Sequence, residues 1–564
     1  MAAEMKAELI GQAALTDLQL TVPRRPALRR GVRLRRSGDS VVLDGADRMQ
    51  AFSGEFAREW LVPLAEACDG TRDHAALADG LGLPESAVHT CLALLWTAGA
   101  VEEATPDEEP PVAPELACFL SRLGNSTGVN ATWADAAARL ARRPVALEGD
   151  PALVGAARRA LRGVCPVVTG DTDPAGGGHP TEHPAEHPAT DPPKDPATDP
   201  AEHPPAFTVF FETVASAPLL ADAEKACRRD GRPLLRVRAD AATIVVGPYV
   251  DPAITPCLEC GRHGEAELAG EPAAHQLDLV AGVAAHHITA VLARATVTHL
   301  PIDSSVIDTA TLATSYRPAT TRPGCPECSH ARGPVAPEAP ASAVYEAAVA
   351  IPPRAFLDPK GHQAHYYTAN IRLQSQFRQW PSRVRTPLPA ADLSALAGPG
   401  HRGGTPLTPH HLGLVLKIAF GLKDDETTPE RVKRWTAASG NIGCTTAYVV
   451  VRDASVLPPG VYAYAEGSHT LASVSRTVPP GDSPCDIVVT GDLKKVMSKY
   501  GTFGFRLALL DSGCALTSAR HVARHLGLDF APRTDWDDDA LTRILDVSPT
   551  EEPVVAVASL GGTA

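Results

Sequence analysis

The hydrophobic positions change period along the chain, and the changes mark out its elements. Val32–Leu34 and Val41–Leu43 are short strand-like runs on either side of Ser37-Gly38, which predicts a hairpin. Helical spacing follows: one helix over Phe52–Ala67, a second marked by Leu77 and Leu81, and a third opening at Pro84 with Val88, Leu92 and Leu95 along one face. Gly99 stops that helix, and Val101 begins a short strand. From Pro144 the pattern alternates between strand and helix. Strands are predicted at Pro144–Leu147, Val164–Thr169, Phe207–Phe211, Pro233–Arg238 and Ala242–Gly247, and helices at Leu153–Leu161 and Leu219–Arg228. That order predicts a parallel sheet layered by helices.

Three stretches break the pattern. Residues 170–205 repeat a Thr/Ala-Asp/Glu-Pro unit with almost no apolar side chain, so they cannot offset their ordering entropy and are predicted to be a disordered insertion. The histidines there (His179, His183, His187, His203) are read as a solvated linker, with metal binding as the alternative. Ala104–Pro114 and Pro334–Pro353 are proline-rich boundaries. The cuts divide the chain into 1–110, 115–335 and 350–564, a multidomain α/β and α+β protein.

A hairpin followed by three helices, with Asp69-Gly70 between two of them, is the pattern of a winged helix. DNA binding would need basic residues on the last helix, and PESAVHTCLALLWTAG has none, so peptide binding or pure packing is expected. The net charge of −14 over 564 residues also argues against nucleic acid. The N-terminal MAAEMKAELIGQAALTDLQL is acidic and lacks the apolar core of a signal peptide, and no apolar run reads as long enough to span a bilayer. A cytoplasmic location with reduced thiols is the expectation, and no membrane partner is implied.

Of twelve cysteines, four lie in two pairs, Cys257-Leu-Glu-Cys260 and Cys325-Pro-Glu-Cys328. A two-residue spacing lets one tight turn aim both sulfurs at a metal, and two such turns complete a structural zinc tetrahedron with no open position. Chance pairs, a redox disulfide and buried free thiols are the competing readings. Cys444 and Cys514 are read as small buried hydrophobes rather than nucleophiles. The turn Gly149-Asp150-Pro-Ala-Leu-Val-Gly155 stands where a dinucleotide loop would, but only two glycines fit, and Asp150 would repel a phosphate at the helix N-terminus.

With these residues on the page, two resemblances emerge. GPYVDPAITPCLEC (247–260), a long helix over Gln276–Leu292 and GCPEC (324–328) resemble the zinc-bearing half of the ThiF-like, ubiquitin-activating-enzyme-like domain of azole-forming peptide biosynthesis. The first segment resembles the leader-recognition element that precedes such domains, where a leader peptide adds as a strand to the wing. The resemblance implies a ribosomal precursor peptide as partner, delivered to a YcaO-type cyclodehydratase. The last segment resembles the azoline dehydrogenases of streptolysin-S and thiopeptide pathways, flavoenzymes of the nitroreductase fold. The resemblance rests on Thr405–Thr408 with 410–422, on Arg434–Gly443 with the strand Ala447–Val451, and on Pro459–Tyr464 with His469. It continues through Lys499-Tyr500-Gly501, Gly504–Arg506, the helix from Gly513 to His525, and the tail Glu551–Gly562.

This second resemblance implies an FMN-dependent oxidation of thiazolines or oxazolines and a homodimer. Lys499 and Tyr500 are its implied catalytic pair, against the plain reading of a surface lysine beside a half-buried tyrosine. Arg402, Arg434, Ser439, Gly440, Asn441, Arg506, Gly561 and Gly562 are its implied flavin contacts, with an ordinary salt bridge the alternative for Arg506. Two departures stand out. The family's arginine-serine-x-arginine phosphate motif is replaced by Gly400-His401-Arg402-Gly403-Gly404, and its flavin-loop proline and serine by Ala437 and Ala438.

Overall fold

The computed structural model describes residues 5–18, 20–46, 49–104, 110–123, 129–169, 204–296, 298, 300, 303–349, 366–401, 403–423, 426–428 and 432–561. Most of the predicted insertion at 170–205 lies outside them, as do Arg402 and Gly562. The chain divides into two compact units, Ile10–His362 and Gln363–Ala564 with Met1–Leu9.

Early in the first unit lies an antiparallel sheet of β1 (Arg33–Ser37), β2 (Ser40–Asp44) and β3 (Gln50–Ser53). Gly38 takes φ +57° in the β1–β2 turn, a conformation that glycine adopts without steric cost. Helices α1 (Glu55–Ala67), α2 (His74–Leu81) and α3 (Glu85–Thr97) follow. Asp73 caps α2 by accepting from the Ala76 N–H, and Gly82 ends it in the left-handed region. Val88, Leu92 and Leu95 are buried, as their spacing predicts.

Next come α4 (Pro114–Leu123) and α5 (Trp133–Arg142), the latter opened by a capping box between Thr132 and Asp135. They lead into a seven-stranded sheet with strands β4 (Val145–Gly149), β5 (Val167–Thr169), β6 (Thr208–Glu212), β7 (Leu234–Ala239), β8 (Thr243–Val250), β9 (Asp303–Asp308) and β10 (Thr314–Pro318). Their spatial order is β10-β9-β8-β7-β6-β4-β5. Helices α6 (Pro151–Ala160) and α8 (Leu277–Ala293) cover one face, and α7 (Leu220–Arg229) packs on Phe210 and Leu234 of the other. One face, with Val209, Phe211, Leu235 and Val237, packs on Leu153, Ala157, Val280 and Ala284 of α6 and α8.

The sheet is parallel only from β5 through β7; β8, β9 and β10 run antiparallel. This corrects the expectation of a parallel sheet. The connection from β7 to β8 has room for a tight turn only, whereas a parallel return needs a crossover of about a dozen residues or more. A second correction concerns α8. Residues Ala274–Ala293 are long and apolar enough to cross a membrane by length and composition, against the sequence reading. Its Val280, Ala281, Ala284 and Ile288 are instead buried in the sheet core.

The second unit is built on an antiparallel sheet of β11 (Arg385–Pro387), β12 (Thr445–Val451), β13 (Gly460–Ala465), β14 (Thr470–Ser475), β15 (Cys485–Gly491), β16 (Phe530–Pro532) and β17 (Val554–Leu560), in the order β11-β14-β13-β12-β15-β17-β16. Alternation on β12 sends Ala447, Val449 and Val451 to one core and Tyr448 and Val450 to the other. Helices α9 (Pro409–Phe420) and α11 (Phe503–His525) cover the first face, and α10 (Leu493–Tyr500) precedes α11.

At the start of α6, Asp150 Oδ1 accepts from the N–H groups of Ala152 and Leu153, both at 3.0 Å. Its other oxygen accepts from Thr213 Oγ1 at 3.3 Å. Gly149, at φ +101°, is pressed against β6: a Cβ there would lie 2.2 Å from the Phe211 carbonyl oxygen. The donors a phosphate would use are thus taken by the chain's own carboxylate. Asp150→Ala is expected to cost about 1 kcal/mol of stability, read as a lower urea midpoint, and Asp150→Asn, which keeps an acceptor, less.

Candidate metal centre and candidate active site

The four cysteine sulfurs of the two pairs lie within 4.8 Å of one another. Cys257 Sγ and Cys325 Sγ are 3.7 Å apart, close to the roughly 3.8 Å edge of a tetrahedron with ~2.3 Å zinc–sulfur bonds and far beyond a disulfide's ~2.05 Å. Cys257 precedes the one-turn helix Leu258–Gly261, which carries Cys260 round to the same point. The second pair sits on a turn that needs Gly324: at φ +80°, a Cβ there would lie 2.3 Å from the Pro334 carbonyl oxygen. The Arg322 backbone N–H donates to Cys260 Sγ at 3.4 Å, and such a donor favours a thiolate. Arg228 of α7 pairs with Glu327 at 2.8 Å and ties the second turn to the sheet layer. Four converging sulfurs fit a closed zinc site.

In the second unit, Lys499 and Tyr500 are the last two residues of α10. The Lys499 ammonium lies 4.8 Å from the Tyr500 ring centroid. Burial brings the Lys499 amine down to about 8. Burial also raises the Tyr500 phenol, and the negative charge of Asp511 adds to the effect. Tyr500 is buried and Lys499 half-buried.

The predicted flavin loop is tied inward. Ser439 donates to Asp511 of α11 from its backbone N–H at 2.9 Å and from its hydroxyl at 2.7 Å, and Cys444 Sγ donates to the same carboxylate at 3.2 Å. Burial raises the Asp511 carboxyl, and these donors act against it. Gly440 and Asn441 both take positive φ, 57° and 56°. The Asn441 amide donates to Val432 O at 2.7 Å and to Gln374 Oε1 at 3.2 Å. Arg434 donates to Asn441 O at 3.0 Å and to Gln374 O at 3.3 Å, pairs with Glu466 at 3.5 Å, and has a side chain only 6% exposed.

Beside it, Lys495 Nζ donates to the carbonyls of Gln376, Ile442 and Gly443 at 2.8, 2.9 and 3.1 Å. Burial lowers the Lys495 amine and raises the Glu466 carboxyl. Arg506 is half-buried in the first turn of α11, and Gly561 follows β17 at φ +81°. His469 is a brace: its Nδ1 meets Tyr464 Oη at 2.9 Å and its Nε2 meets Pro389 O at 3.0 Å.

Among the described residues, a flavin ring does not fit the two cavities at this loop. The two cavities that Gly443, Thr445 and Glu466 help to line hold about 20 Å³ each, too little for an isoalloxazine ring. Arg434 spends its guanidinium on the carbonyls of Asn441 and Gln374 and on Glu466.

Sequence reasoning passed over Lys495, Glu466 and Asp511. Asp511 had a signal: it falls on the buried stripe of α11 with Leu507, Ala508, Ala515 and Ala519. An acid at that spacing marks a buried polar anchor. Lys495 had none, since its partners are backbone carbonyls from two separate segments.

The purified full chain is expected to carry one zinc ion per chain by metal analysis. Cys325→Ser and Cys328→Ser should each lose it and lower the thermal unfolding midpoint, because structural zinc binding is folding free energy. A well-folded, metal-free wild type would remove the assignment.

In comparisons with known proteins, no family model and no curated protein matches the chain. Partial likenesses to solved structures are found. A heterocyclase in complex with substrate and cofactor is 19% identical, covers 54% of this chain and 39% of its own, and has a TM-score of 0.38. MccB of E. coli is 14% identical over 54% of this chain and 97% of its own, at 0.42. A putative nitroreductase from Anabaena variabilis is 20% identical over 33% of this chain and 40% of its own, at 0.26. The chain thus spans about two fifths of the heterocyclase and of the nitroreductase.

Proposed function

We propose that the chain is an FMN-dependent azoline dehydrogenase of a ribosomally made, post-translationally modified peptide pathway. In this reading residues 1–110 recognise the precursor's leader, the zinc-bearing segment is a scaffold without a nucleotide turn, and 350–564 oxidise the ring. The observation that carries it is Lys499, a desolvated amine near 8 stacked on a buried tyrosine. A perturbed amine is a candidate base.

Azoline oxidation removes a hydride from one ring carbon and a proton from its neighbour. Bound FMN would supply hydride acceptance. Neutral Lys499 Nζ takes the proton, and the Tyr500 ring fixes the amine's position and shields it from water. The flavin site is assigned to the interface between two copies, so the active species is a homodimer, and a YcaO-type cyclodehydratase supplies the azoline.

A second reading is a non-redox adaptor that binds the leader and stimulates the cyclodehydratase. The inward-turned Arg434 and the small cavities favour it.

Colour separates the two. The dehydrogenase is expected to purify yellow and to bleach when azoline peptide is added without oxygen; a colourless protein that still binds leader peptide would establish the adaptor. Lys499→Ala should abolish oxidation and leave leader binding intact, and unchanged turnover would end the assignment of Lys499.

The pH dependence has a defined sign. The oxidation rate should rise through a midpoint near pH 8 as Lys499 deprotonates. Its folded pKa lies below the usual 10.5, so the unfolded chain binds the extra proton between about 8 and 10.5. Stability therefore climbs with pH across that window, and the burial cost is fully present below it. Lys499→Met should flatten the slope in urea titrations and stabilise the fold at pH 7.

A further inference from the structure

On the sheet face opposite α6 and α8, three arginines converge on one carboxylate. Arg236 of β7 reaches Glu265 at 2.7 Å, Arg238 of the same strand reaches it at 3.3 Å, and Arg317 of β10 contacts its other oxygen. The Arg236 and Arg238 side chains are only 2% and 7% exposed. Glu265 comes from neither a strand nor a helix but from the loop after the first cysteine pair. Its neighbours His263, Gly264, Ala266 and Glu267 are exposed, while its own side chain is 8% exposed. The loop's other ties to these strands are Arg238 to Ala266 O at 2.8 Å and the Ala269 N–H to Asp240 at 3.5 Å.

Two further features distinguish this cluster from a closed ionic brace. The Nε atoms of Arg238 and Arg317 are buried without a hydrogen-bond partner. A cavity of about 370 Å³ opens beside the cluster, lined by Arg236, Arg238 and Arg262 and by Glu212, Glu259, Glu265 and Glu267. With Glu265 withdrawn, the three guanidiniums of the cluster would face Glu212 and Asp240, leaving one net positive charge there, while at the cavity rim Arg262 is paired with Glu259 and Glu267 is exposed to solvent. Planar guanidiniums match a carboxylate's two oxygens.

We propose that Arg236, Arg238 and Arg317 form a carboxylate-binding cradle, and that Glu265 is an internal plug which an acidic side chain or a chain-terminal carboxylate of a peptide displaces. Glu265 occupies the ligand's place with the ligand's own chemistry, and the adjoining cavity holds the rest of the residue that carries it. The site is independent of the oxidation reading and needs neither flavin nor zinc to be exchanged.

The test uses the full-length protein, with glutarate as the side-chain probe, N-acetylglycine as the chain-end probe, and inorganic phosphate for comparison. In the wild type a saturating carboxylate should speed hydrogen exchange of the 262–270 amides, because the plug is released. Glu265→Ala should bind that probe roughly tenfold more tightly in thermal-shift titrations, since no internal carboxylate competes. Adding Arg238→Met should cancel the gain. Glu265→Gln serves if the alanine variant does not fold, with a smaller gain expected. Whichever of the two carboxylates responds identifies the source. Unchanged loop exchange in the wild type, equal affinity in wild type and Glu265 variants, or a response to phosphate alone would overturn the proposal.

Discussion

A charge taken out of water must be met by partners fixed in place, and both units are organised around that requirement. In the first unit, Arg236 sits inside the sheet layer with Glu212 at 2.5 Å and Glu265 beside it, and burial still draws its pKa down to about 10. In the second, Arg434, Lys495, Glu466 and Asp511 are enclosed together at one loop. Leaving one such partner unpaired costs several kcal/mol, so each cluster holds its surroundings in place for as long as every charge in it keeps a partner. Those surroundings are irregular backbone: loop 262–270 in one case, 439–444 and 374–376 in the other.

The clusters also explain why irregular segments are placed where chemistry can occur. Lys495 satisfies three carbonyls that no strand reaches, and Asp511 satisfies the Ser439 N–H. Buried backbone groups need such partners when secondary structure does not provide them. In the second unit the result is a stiff loop near the α10–α11 corner, where Lys499 and Tyr500 lie. The loop is built to hold its own shape, and a cofactor would meet it as a finished surface.

Cysteine and glycine do comparable work in the first unit. The four-sulfur cluster and Gly324 fix a turn with little apolar surface of its own, and the Glu327–Arg228 pair joins it to α7. Asp150 and Gly149 close the β4–α6 turn against β6 and consume the anion-binding donors there. At this turn the α/β layer is kept while the N–H donors of Ala152 and Leu153 are taken. The displaceable carboxylate lies on the other face.

The sequence by itself determined the elements whose cause is local. The period of the hydrophobic positions placed α3, α6 and α7 within a few residues, and the two-residue spacing of the cysteines named the four sulfurs that converge. Asp150 was readable as an obstacle to phosphate because capping is a short-range interaction. Only the tertiary structure decided strand direction beyond β7, the inward turn of Arg434, the desolvation of Lys499 and the meeting of Arg236, Arg238 and Arg317 at Glu265. These depend on which distant segments exclude water from a charge. No sequence period records this, because the partners come from separate strands and loops.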